Sequence, residues 1–158
     1  MIKNVQNVLQ VLSDMAGLEL ALAALYRACS EAFPEDTNFW MAIARQEEVH
    51  AQSIEKIREL VSRDPQAFEV NRSFNSVAIG RIRASIDDYI SRIQSKDLNR
   101  YRTLIIARDI EQSVLETNYG EFLKTSNVQY MTVFDTLTKD TSAHKGVLAA
   151  KIARTLPG

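Results

Sequence analysis

Apolar residues recur at three- and four-residue steps along nearly the whole chain, and only 3 Pro and 5 Gly interrupt them, a pattern that predicts an all-α protein. The first helix is expected from about Lys3 to Phe33, with Val8, Leu12, Met15, Leu22, Tyr26 and Phe33 on its buried stripe. Pro34-Glu35-Asp36 breaks it, and Asp36 or Thr37 can cap the second helix by accepting an orphan backbone N–H. That helix carries Phe39, Trp40, Ile43, Glu47, His50, Ile54 and Ile57 in line and stops near Asp64-Pro65, where proline disfavours helical geometry at its predecessor.

Gln66 to Asn75 reads as a connection, and a shorter helix from about Ser76 to Gln94 follows, bearing Val77, Ile79, Ile82, Ile86, Tyr89, Ile90 and Ile93. The third long helix should start near Asp97 and reach Thr125, with Leu104, Ala107, Glu111, Leu115, Asn118 and Phe122 aligned. Ser126-x-x-Gln129 is a capping-box signature for the fourth, expected to run to about Arg154 with Tyr130, Phe134, Leu137, Thr141, His144, Leu148 and Ile152 inside. Two helical hairpins joined by a long crossover with its own helix make a four-helix bundle.

Composition changes this picture little. A chain of 158 residues, 46% hydrophobic and 25% charged, fits one globular domain over residues 1–158. Its net charge of -1 offers no electrostatic reason to bind nucleic acid or an anionic membrane surface. The arginines at 72, 81, 83, 92, 100, 102 and 108 are expected on a solvated, salt-bridged face. The single Cys29 can form no internal disulfide and reads as a small buried hydrophobe, which favours the cytoplasm. No stretch is expected to reach the roughly 18 apolar residues of a membrane span.

Candidate chemistry lies in the polar residues that interrupt the apolar stripes. Both histidines, His50 and His144, sit in long helices, and each has a glutamate on an apolar face about one hairpin upstream: Glu19 is 31 residues before His50 and Glu111 is 33 before His144. Glu19 and His50 then lie at the same height in the first hairpin, roughly 24 and 22 Å from the turn at 1.5 Å per residue. Glu47-x-x-His50 puts a carboxylate and an imidazole on one helix face, while the adjacent Glu48 should point outward. Carboxylates buried together repel, and a divalent cation removes that cost. Glu with His suits iron, manganese or zinc rather than calcium, and carboxylates can bridge two ions about 4 Å apart.

In their order along the chain these residues resemble the rubrerythrin-like branch of the ferritin-like superfamily. The resemblance rests on Glu19 with Tyr26, Glu47-Glu48-Val49-His50, Glu111 with Tyr119, and Thr141-Ser142-Ala143-His144. It implies a non-haem di-iron protein in which Glu19 and Glu111 are terminal or bridging ligands, Glu47 a bridge, and His50 and His144 terminal ligands to the two ions. The implied chemistry is oxidation of ferrous iron by peroxide or oxygen, with two irons expected, one possible, and manganese or zinc able to substitute. Tyr26 and Tyr119 read either as core aromatics or as hydroxyls reaching ligand carboxylates.

The chain departs from that pattern at Thr141, where a second glutamate is expected and a neutral hydroxyl cannot bridge ions. Asp140 is the candidate to compensate, and His144 is either a ligand or a hydrogen-bonded core histidine. Val114 replaces a further glutamate found in one branch of the family. The Cys₄ electron-transfer module of complete rubrerythrins is missing, so electrons would come from a separate donor protein. A degenerate relative binding one metal or none, and serving as a structural or interaction bundle, is the alternative; iron storage ranks below both. A homodimer is expected.

Overall fold

The computed structural model describes residues 3–72 and 76–158. Among these, five α-helices dominate: α1 (Val5–Ala32), α2 (Thr37–Arg63), α3 (Ser76–Gln94), α4 (Arg100–Thr117) and α5 (Val128–Ala153). The all-α expectation holds. The chief contacts run between α1 and α2, between α4 and α5, and between α3 and α1, while α2 also meets α5. The core is continuous, from Leu12, Leu22 and Tyr26 on α1 through Trp40 and Ile54 on α2 to Leu104, Phe134 and Leu148.

Several predicted boundaries shift for local reasons. Asn4 caps α1, its Oδ1 accepting from the Asn7 amide at 3.1 Å. Neither Asp36 nor Thr37 caps α2 with its side chain: Thr37 Oγ1 donates to the Ser30 carbonyl. The Asp36 carboxylate instead takes Arg100 Nε at 2.5 Å and Nη2 at 2.8 Å, with Lys151 Nζ at 3.0 Å. Two cations outbid an orphan amide for a buried carboxylate, and their bonds, Arg100's first, hold Asp36 below the usual carboxylate range. This ties the first turn to the start of α4 and the end of α5.

The third long helix stops at Thr117, well short of Thr125. Asn118 turns left-handed at φ 52°, a conformation that asparagine tolerates, and it is exposed rather than in the inner line. A short 3-10 turn, Tyr119–Glu121, follows, and then Leu123–Lys124 (β2) pairs antiparallel with Glu69–Val70 (β1) from the crossover. The segment from Gln66 therefore holds a strand; its last residues, 73–75, lie outside the described residues. Tyr130 locks this seam to α5, its hydroxyl accepting from the Leu123 amide at 3.1 Å and donating to the Gly120 carbonyl at 3.3 Å. Arg72 donates to the Thr117 carbonyl at 3.0 Å, satisfying one of the helix's terminal acceptors. Asn127 caps α5 through the Tyr130 amide at 3.0 Å, displacing the Ser126-x-x-Gln129 box.

The membrane expectation also needs correction. Helix α1 is long and apolar enough to cross a bilayer, with mean hydropathy 1.6 over its richest stretch, and 61% of that stretch is buried against the rest of the protein. It meets α2 on one side and α3 on another, which accounts for apolar residues on more than one face. Of the arginine group, Arg72, Arg92 and Arg108 pair at the surface with Glu121, Asp97 and Asp109, as expected of a solvated face.

Candidate metal centre

Four helices each send a carboxylate or imidazole inward at a common depth. Glu19 from α1, Glu47 and His50 from α2, Glu111 from α4 and His144 from α5 are all buried, the three glutamates completely. Their atoms form two groups, Glu19 with Glu47 and His50, and Glu47 with Glu111 and His144, each with one potential ligand atom per residue within 4.8 Å of the others. Glu47 belongs to both. The histidine rings face each other, 5.9 Å apart between centroids at 28°.

The second ring nitrogens explain how the imidazoles are aimed. His50 places Nδ1 3.2 Å from Glu47 Oε2 and Nε2 2.8 Å from Asp140 Oδ2. His144 mirrors it, with Nδ1 2.8 Å from Glu47 Oε1 and 3.5 Å from Glu111 Oε1, and Nε2 hydrogen-bonded to Gln46 Oε1. Asp140 immediately precedes Thr141-x-x-His144, and Gln46 immediately precedes Glu47-x-x-His50. Each hairpin thus supplies the outer acceptor that orients the other's histidine. An acceptor at Nε2 keeps a proton there and turns Nδ1 toward the carboxylates.

The carboxylates are poorly satisfied by protein. Neither oxygen of Glu19 has a hydrogen-bond partner, and the same holds for Glu111 Oε2 and Glu47 Oε1. His144 Nδ1 makes no directed hydrogen bond despite its short approach to Glu47. Glu111 Oε1 accepts from the Tyr26 hydroxyl. Buried polar atoms are nearly always paired, so this concentration of orphans on one spot calls for a partner of opposite charge.

Without a cation, protons stand in. Burial, reinforced by the charges of Glu47 and Glu111, drives Glu19 well above the carboxylate range; burial and Glu47 raise Glu111 to about 7. Burial opposes charge on His144, but the close carboxylates of Glu111 and Glu47 prevail and lift it to about 10. His50 is raised by Glu47 and Asp140 against the same burial. Glu47, although buried, is held below its ordinary value by His144 and His50. A divalent ion would displace these protons, and the glutamates and imidazoles together could hold a metal ion.

The structure brings Glu19, Glu47, His50, Glu111 and His144 together, while the other residues noted in the sequence stand around them in different ways. Asp140 meets His50's outer nitrogen rather than joining either three-ligand group, and its side chain is 39% exposed. Thr141 is buried on the same face as His144. Tyr119 is buried close enough that the charges of Glu19, Glu47 and Glu111 add to burial in raising its hydroxyl. Glu48 points outward and pairs with Arg27. Gln46 was missed, because a glutamine at an exposed helix position looks solvated; its signal was its mirror relation to Asp140, one residue ahead of each motif. No protein-family model, curated protein or solved structure matches the chain.

Proposed function

We propose that the chain is a rubrerythrin-like non-haem iron protein whose bundle interior holds two ions, Glu47 shared between them. The observation that carries this reading is the pairing of orphaned buried carboxylates with two histidines aimed inward by outer acceptors. Glu19, Glu47 and His50 would hold one ion and Glu47, Glu111 and His144 the other. Bound ferrous iron would supply electrons to a small oxidant such as hydrogen peroxide or dioxygen. The protein's own residues do the rest. Gln46 and Asp140 fix the imidazoles. The Tyr26 hydroxyl holds Glu111 Oε1. Asp140, half open to solvent, can take up or deliver a proton at His50 Nε2. Leu22, Ala107 and Ile54, buried one turn from Glu19, Glu111 and His50 on the same helices, would keep water out. With no cysteine cluster in the chain, electrons would return from a separate donor protein.

Anaerobic loading with ferrous iron, followed by metal analysis, tests the proposal. Two ions per chain are expected, and Glu47→Ala should abolish both. A second reading, a bundle holding one ion or none, is favoured by Thr141, which offers no carboxylate to the second group. One ion or substoichiometric metal, with Glu47→Ala leaving the fold intact, would support it.

A further inference from the structure

The two halves of the centre differ at one position. Gln46-Glu47-x-x-His50 on α2 is mirrored by Asp140-Thr141-x-x-His144 on α5, so a short hydroxyl stands where the other hairpin carries the shared carboxylate. The space is not refilled by neighbours. A recess of about 20 Å³ opens between α4 and α5, with exposed Asn118 and Thr138 at its mouth, Val114 and Leu137 along its walls, and buried Tyr119 and Thr141 at its inner end. That volume admits one water-sized molecule, and buried Tyr119 and Thr141 line it together with apolar Val114, Leu115 and Leu137. Val114 and Leu115 stand one turn beyond Glu111 on α4 and Thr141 one turn before His144 on α5, so the lining of the recess is the layer of side chains next to the ligand cluster.

We infer that this recess is the entry port of the centre, through which a narrow small molecule of the size of water or peroxide passes from solvent, and that Thr141 is the residue whose shortness keeps it open. The inference rests on the metal reading above. The carboxylates of Glu19, Glu47 and Glu111 are 0% exposed, so the recess ends on Tyr119 and Thr141 one side-chain layer short of them, while the outer sides of both imidazoles are closed by Gln46 and Asp140. Thr141 is a gating residue that acts by leaving space, so a longer apolar side chain should shut the route without removing a ligand. Thr138→Trp, at the exposed mouth and away from every ligand, should shut it from outside.

The test uses the full chain loaded with cobalt(II), which reports its coordination through visible absorption and needs no turnover, and azide, a rod narrow enough to enter end-on. Wild type and Thr141→Ser should show a saturable azide-dependent change in the cobalt bands. Thr141→Leu and Thr138→Trp, at equal cobalt content, should show the change slowed by an order of magnitude or lost. If Thr141→Leu does not fold, Thr138→Trp decides alone. Equal azide response in wild type and the blocked variants, or no response in cobalt-loaded wild type, overturns the port and leaves the metal reading standing. Failure to load cobalt overturns both.

Discussion

Glu19 should make the metal-free protein less stable than it could be. Its carboxylate is fully buried, has no hydrogen-bond partner at either oxygen, and is surrounded along α1 by buried Met15, Ala16, Leu22 and Ala23. Methionine has nearly the same length and volume and leaves no polar atom to satisfy. Replacing buried ionic groups by well-packed apolar ones is neutral or stabilising by about 1–4 kcal/mol, and an unsatisfied buried acid crowded by the charges of Glu47 and Glu111 belongs in that range. For about 2 kcal/mol, at about 2–4 °C per kcal/mol for a chain of this size, Glu19→Met should raise the Tm of the metal-free protein by roughly 4–8 °C.

The same change removes one member of the group formed with Glu47 and His50, so the sign reverses on loading. A ligand present at 100 times its Kd stabilises the native state by about 2.7 kcal/mol, and Glu19→Met should forfeit most of that gain at the affected position. Thermal unfolding of both proteins, with chelator and with saturating cobalt(II), measures the two effects. Glu19→Gln is the control: it is neutral but still buries two unpaired polar groups, and should show little of the metal-free gain. A metal-free Glu19→Met melting at or below wild type would refute the argument that the carboxylate is held against its own energetics for a cation.

Other outcomes follow from the same geometry. Gln46→Leu and Asp140→Leu should each weaken metal binding by about 10–100-fold through loss of the acceptor at His144 or His50 Nε2, while Asp140→Asn, which keeps an acceptor oxygen, should cost less; calorimetric titration separates them. Metal affinity should rise with pH, because in the metal-free protein Glu111 holds a proton below about 7 and His144 below about 10, and both must give it up to bind. Loading at pH 6 should be weaker than at pH 8, with proton release seen in a weakly buffered indicator solution; affinity independent of pH would count against the assignment. Asp36→Ala leaves Arg100 and Lys151 without their shared carboxylate, and because both cations reach solvent the loss should be about 1–2 kcal/mol in denaturant unfolding. Because the folded-state pKa of Asp36 is depressed, its contribution is present above the ordinary aspartate range and fades as pH falls through the lowered value.

Much of the helix pattern could be read from periodicity, since Ser76–Gln94 and the stripes of α1 and α2 follow a 3.6-residue rhythm set by burial. The end of α4 could not. Phe122 and Leu123 are buried from a non-helical segment, so apolar spacing continued past Thr117 while Asn118 had already turned left-handed. The depth-matched glutamates and histidines were legible because an acid amid Leu and Ala is conspicuous. Gln46 was not, because its role depends on a histidine 98 residues away. Asp36 failed as a cap for a related reason: its partners, Arg100 and Lys151, are invisible to a local reading.

The exchange by which each hairpin steers the other's imidazole makes organisation of the ligands a property of the docked pair. Severed from α5, His50 would lose the carboxylate that sets its tautomer, and His144, severed from α2, would lose its amide; neither half could offer preorganised nitrogen donors alone. If the cluster holds an ion as proposed, its capture would be coupled to completion of tertiary structure, so half-folded chains would leave metal in solution and only the finished protein would take it.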